Sequence, residues 1–287
     1  MDRLLADLLK VLTLERVEIN LFRGESRDIG SPQVFGGQVL GQALAAATGT
    51  VEGREVHSFH AYFLRRGDCN LPIVYEVDRA RDGRHFSTRR VVAIQNGEQI
   101  FNMSASFQSA EDGLDHQFSA PVVPAPEELK DLQSHVRDAI SFVPDPLRKV
   151  LSHARPFEMR PVQPTDYRNP QKLAPRKSVW FRAVDKLPDG EALHRTLLAY
   201  VSDYALLETA LMPHAVTPLS PPLVMASIDH AMWFHRSVRV DDWLLYSTDS
   251  PSASGARGFA RGSVFARDGR LVASTAQEGL MRVIKAK

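Results

Sequence analysis

Within LLAYVSDYALLETAL (residues 197–211) a single carboxylate, Asp203, stands among leucines, tyrosines and a valine. Such an acid either faces water or is part-buried, and a part-buried carboxylate must be hydrogen-bonded or it destabilises the fold. Burial would also raise its pKa toward a range useful to a general base. By spacing, Leu193, Leu197, Tyr200, Val201, Tyr204, Leu207 and Leu211 form a buried helical stripe, with Asp203 at its edge beside Thr196, Ala199 and Ala210. Other reactive types are less pointed. His57, His60, His230 and His235 fall on strand-like runs. Arg84, Arg89, Arg90, Arg257 and Arg261 could meet phosphate, but strand arginines are ordinarily solvated, and no phosphate site is assigned to them. No Walker loop, dinucleotide fingerprint, His-Glu-x-x-His motif or Gly-x-Ser-x-Gly elbow occurs, so no metal and no cofactor is expected.

The elements that must position Asp203 are legible from periodicity. An N-terminal helix with leucines at helical spacing leads to the strand-like RVEINLFRGES. Ser31 and Pro32 then resemble a helix start, with an Ala/Leu-rich helix through about Ala47. Its glycines, Gly36, Gly37 and Gly41, would weaken an exposed helix by about 1 kcal/mol each, which predicts a backbone pressed against something such as a sheet. Four strands are predicted at 57–65, 71–80, 84–95 and 98–108, with Asn96-Gly97 as a two-residue hairpin turn. Residues 109–156 are rich in proline and acids, and read as a linker with a short helix near 126–140.

The plan then starts again. FEMRPVQP and KSVWFRAV read as strands and EALHRTLLAYVSDYALLETAL as one long helix. VMASIDHAMWFHR, DDWLLYSTDS, ARGFARGSVFARD and RLVASTAQEGLMRV are further strands, the last two joined at Asp268-Gly269. Written together, HSFHAYFLRR and SIDHAMWFHR share His-Ala and a closing Arg, which places His60 with His230 and His57 with Ser227 in the repeat. A histidine common to both copies points to packing, and the difference at His57 and Ser227 points to one working site, in the second half. The chain is expected to be α+β, with a first domain over 1–108, a linker over 109–156 and a second domain over 157–287.

Bulk properties set limits. The 287 residues are 44% hydrophobic and 24% charged, with 35 Lys+Arg against 34 Asp+Glu. That balance argues against nucleic acid as a partner. One cysteine, Cys69, excludes an internal disulfide and suits a reducing compartment. No apolar run approaches the roughly 18 residues needed to cross a bilayer. The acids Asp2 and Asp7 make the start a poor signal peptide, and the Lys-Ala-Lys ending is not the peroxisomal Ser-Lys-Leu address. A soluble cytoplasmic protein is expected.

QVFGGQVLGQAL, HSFHAYFLRRGD, GARGFARG, IDHAMWFHR and LVASTAQEGLMR, in this order, resemble the acyl-CoA thioesterase II family from the N-terminal helix to about Arg282. The resemblance implies a double hotdog fold, two tandem antiparallel sheets each wrapped around a long helix, and hydrolysis of medium- to long-chain fatty acyl-CoA. It also implies a homo-oligomer, dimer or tetramer. Carried over by motif, the family's catalytic Asp falls on Asp203, its hydroxyl residue on Ser227 in MASIDHAMW and its Gln on Gln277 in STAQEG. Many bacterial relatives have Thr where this chain has Ser227. Taken alone, Ser227 would be turn chemistry and Gln277 a solvent-facing strand residue. Two other functions fit the fold: a non-catalytic acyl-CoA binding protein, and a hotdog hydratase or dehydratase acting on enoyl-CoA through a histidine.

Overall fold

The computed structural model describes residues 1–31, 33–142, 148, 151–218, 220 and 223–284. Helix α1 (Arg3–Leu12) starts where Asp2 Oδ1 accepts from the amides of Leu4 and Leu5, and it buries Leu5, Leu8 and Leu12. The segment read as one strand is a hairpin, β1 (Glu15–Glu18) and β2 (Leu21–Gly24). Helix α2 (Gly36–Thr48) begins later than Ser31 and Pro32 suggested, with Phe35 at its N-cap; Pro32 lies outside the described residues. β3 (Glu55–Phe63), β4 (Ile73–Asp82), β5 (Phe86–Gln95) and β6 (Glu98–Gln108) follow the predicted alternation. Asn96 and Gly97 both take positive φ, 53° and 76°, as a two-residue hairpin turn requires.

The second half repeats this plan with β7 (Phe157–Pro161), β8 (Arg176–Ala183), α4 (Glu191–Ser202), β9 (Leu223–Ser227), β10 (Asp229–Phe234), β11 (Leu244–Ser254), β12 (Arg257–Ala266) and β13 (Leu271–Val283). At the hairpin before β13 only Gly269 is at positive φ, so the two turns match in sequence more than in geometry. Among the described residues the strands form one antiparallel sheet in the order β1-β2-β4-β5-β6-β3-β10-β13-β12-β11-β8-β7, with β9 beside β13. The halves join through β3 and β10, and α2 packs on α4 inside the wrapped sheet. This is the double hotdog arrangement.

Two glycines of α2 answer to the other central helix and to α1: a Cβ on Gly37 would lie 2.2 Å from the carbonyl oxygen of Tyr200, and one on Gly41 2.9 Å from Leu12 Cδ2. A Cβ on Gly36 would lie 3.1 Å from the Phe63 ring of β3 in the sheet.

The β3–β10 register corrects the sequence repeat by one residue. His60 pairs with Ala231 and Ala61 with His230. Directly paired residues of an antiparallel ladder share a face and sequence neighbours do not. His60 and His230 therefore lie on opposite faces, His60 exposed against the Trp233 ring and His230 fully buried. The equivalence drawn between His57 and Ser227 fails with it.

Residues 109–156 do more than connect. A 3-10 turn (Pro126–Glu128) and helix α3 (Leu132–Ala139) occupy the predicted helical stretch. Ala120, Val123 and Leu129 cover an apolar patch of Trp180, Trp243, Leu245, Phe265 and Leu271, where Trp180 Nε1 donates to Pro124 O at 2.9 Å. Among the described residues, no helix is long and apolar enough to cross a membrane.

Candidate active site

The long helix expected over 191–211 stops at Ser202, and Asp203 is its C-cap. One tertiary and one local side-chain hydrogen bond finish the helix there. Tyr246 donates its hydroxyl to Ser202 O at 3.1 Å, and Ser202 Oγ turns back to Ala199 O at 2.9 Å. Ala205 then takes a left-handed φ of 62°, and a 3-10 helix (Leu207–His214) leads away. Asp203 is thereby released from the helix wall and enters a cavity.

Ser227 ends β9. Between β9 and β10 the chain leaves the strand at Ile228, whose amide still reaches Glu278 O, and the register against β13 slips by one residue. That irregularity turns Ser227 toward α4. Gln277 lies on the inward row of β13 with Thr275 and Ala273, and is 1% exposed, so it is not a solvent-facing strand glutamine.

All three carried-over residues converge. Gln277 Nε2 donates to Asp203 Oδ1 at 2.8 Å and lies 2.8 Å from Ser227 Oγ; Ser227 Oγ donates to the same Asp203 oxygen at 3.3 Å. The amide of Gly37, in the first turn of α2, also donates to the Asp203 carboxylate. Burial pushes the Asp203 pKa up to about 6, against the opposing pull of the bonds from Gln277, Ser227 and Gly37. Gln277 Oε1 is buried and has no partner among the described residues. The set thus offers a carboxylate with a raised pKa beside an open buried acceptor.

The cavity has a volume of about 550 Å³ and lies between the halves. Val34, Phe35, Val39 and Phe63 come from the first half; Met159, Val179 and Leu207 come from the second. Leu132 and Val136 of α3 close a further side, a role that the composition of the linker did not signal. The volume and apolar lining are those of a small-molecule site.

The other candidates lie elsewhere. His57 and His235 bond Ser106 and Ser274, each at 2.8 Å. His230 meets Ser202 Oγ at 3.0 Å, and burial drives its pKa down to about 3, so it is neutral. None of His57, His60, His230 and His235 lines the cavity, whereas His135 of α3 does. Arg89 is buried in a network with Thr50 and Asp82, while Arg257 pairs with Glu278 and Arg261 with Asp249. The basic side chains that do line the cavity are Arg65, Arg66, Arg155 and Lys177. The Arg-Arg pair closing HSFHAYFLRR was the available signal. At the corresponding end of α2 the cap is Gly49, and no carboxylate stands where α4 presents Asp203.

The sequence profile described as Acyl-CoA thioesterase matches residues 148–280, and that described as Acyl-CoA thioesterase N-terminal domain matches 23–108. Acyl-CoA thioesterase 2 of Haemophilus influenzae is 42% identical over 283 residues, covering 98% of this chain and 99% of that protein. This chain belongs to the acyl-CoA thioesterase family. Acyl-coenzyme A thioesterase 8 of Homo sapiens is also 42% identical, across 95% of this chain and 88% of its own length. Among solved structures, the crystal structure of an acyl-CoA thioesterase II from Mycobacterium marinum superposes with a TM-score of 0.80 at 41% identity, covering 97% of this chain and 99% of the other.

Proposed function

We propose that the protein hydrolyses medium- to long-chain fatty acyl-CoA to free acid and CoA, with Asp203 as general base and with Ser227 and Gln277 holding the attacking water. The observation that carries this reading is the convergence of the three side chains on one another at the wall of an apolar cavity. A water bound to Asp203 gives one hydrogen bond to the carboxylate and the other to Gln277 Oε1, which has no partner among the described residues. Ser227 fixes the carboxylate rotamer and, through it, the position of the water. As the water attacks the thioester carbon its proton passes to Asp203, and the C–S bond breaks as the tetrahedral intermediate collapses. The proton then goes to the departing thiolate of CoA. The carbonyl oxygen, negative in the intermediate, is met by the α2 N-terminus, where Gly36 N–H is the first helical amide and the helix dipole is positive. A Cβ on Gly36 would lie 2.6 Å from Asp203 Oδ2, so the glycine lets the α2 N-terminus come up against the carboxylate.

The dehydratase alternative draws its histidine from the strands, and His57, His60, His230 and His235 all lie outside the cavity; the histidine that lines it, His135, comes from α3 instead. The reading includes two hotdog domains over 1–108 and 157–287 joined by 109–156, a cytoplasmic location, and assembly into a homo-oligomer. Release of CoA from a palmitoyl-type thioester, followed with a thiol reagent, tests the activity. Asp203→Asn should abolish it while circular dichroism stays that of the wild type, and unchanged release would reject the assigned base.

A further inference from the structure

A second, smaller cavity of about 30 Å³ adjoins the first, sharing Ile29, Arg155 and Tyr204 with it. Two guanidinium groups, Arg27 and Arg155, line this annex, and no Asp or Glu does so among the described residues. Arg27 Nη1 is buried and has no hydrogen-bond partner among the described residues. Arg155 lies over the Tyr204 ring at 4.9 Å and makes a weak polar contact with Met159 Sδ at 3.9 Å. The third feature is a phenol pair: Tyr200 and Tyr204 hydroxyls are 3.2 Å apart. Burial raises both phenol pKa values, so both stay protonated. One of the two hydroxyl hydrogens closes the contact between them; the other is left to donate outward.

A buried cationic N–H without an acceptor, as at Arg27 Nη1, is costly, and a small anion is a partner that removes the cost. We propose that the annex between Arg27 and Arg155 binds one compact oxyanion of the phosphate class, with the free hydroxyl of the Tyr200–Tyr204 pair as an additional donor. The oxyanion is either a phosphate carried by the CoA portion of the substrate or free inorganic phosphate. The first source rests on the thioesterase reading above; the site itself does not.

The test uses the full chain and Arg27→Gln, with Arg155→Gln as a second variant. Titration calorimetry with inorganic phosphate at constant ionic strength should show saturable binding in the wild type, weakened at least about ten-fold in both variants, as loss of a charge-assisted hydrogen bond predicts. Steady-state kinetics separate the sources. If the phosphate is the substrate's, Arg27→Gln raises KM for an acyl-CoA about ten-fold or more but not for the matching acyl-pantetheine, which lacks phosphates. If it is free phosphate, both KM values stay put while calorimetry still shows the loss. Phosphate binding absent in the wild type or equal in all three proteins, together with an unchanged KM for acyl-CoA in Arg27→Gln, overturns the proposal. A protein that hydrolyses no thioester removes the thioesterase reading alone, since calorimetry still decides on the site.

Discussion

The side-chain amide of Gln277 reaches Asp203 Oδ1 across 2.8 Å, although 74 residues separate the two in sequence. A hydrogen bond to the ionised carboxylate lowers its pKa, so this contact offsets part of the rise that burial causes. Activity should need the ionised form and fall as pH drops through about 6. Gln277→Leu removes a bond to the charged form and should move that acidic limb to higher pH, with turnover at its plateau lowered about a hundred-fold. A pH–rate profile of both proteins checks the shift; a limb unmoved or displaced downward would be inconsistent with it.

The same carboxylate ties stability to pH. Its folded pKa, about 6, lies above the ordinary aspartate value of 3.8, so the folded state holds this proton more tightly than the unfolded chain. The contribution is fully present below about 3.8 and is lost as pH rises through about 6, amounting to about 3 kcal/mol at most. Asp203→Asn should therefore have a Tm at least equal to that of the wild type above pH 6. Differential scanning calorimetry at neutral pH would expose a lower value.

Ser227 is held on one side by Gln277 and on the other by Asp203. Ser227→Thr keeps the hydroxyl and restricts its rotation, and it should retain turnover within about three-fold. Ser227→Ala should cost about ten-fold or more in kcat, consistent with loss of a hydrogen bond to a charged group. Equal kcat for the two variants would remove the hydroxyl from the site.

Val136, 4% exposed on α3, closes one side of the cavity with Leu132. Val136→Trp fills space there and should move the optimum of an acyl-chain-length series to shorter chains, leaving short-chain kcat/KM within a few-fold. The unaltered profile would place the acyl chain elsewhere in the cavity.

Local signals carried much of this arrangement. Alternation located β3 to β6, Asn96-Gly97 announced its turn, and the motif around Asp203, Ser227 and Gln277 picked out three side chains that do meet. What was hidden depends on distant partners. α4 ends where Tyr246 takes Ser202 O, a bond between residues 44 apart. The opposite faces of His60 and His230 follow from the β3–β10 register, which a one-residue slip reverses and which weak repeat similarity cannot fix. The part of α3 in the cavity wall was equally invisible, since Pro- and acid-rich composition marks irregular chain without saying what it covers.

The most direct test of the water-activation account is a single turnover, with enzyme in excess over acyl-CoA, in water carrying the heavy oxygen isotope. Mass spectrometry then reads the released acid and the peptide containing Asp203. A base that only relays a proton predicts one heavy oxygen in the acid and none in Asp203. Heavy oxygen in the Asp203 carboxylate would mean that this residue attacked the thioester itself, and would contradict its assignment as a general base.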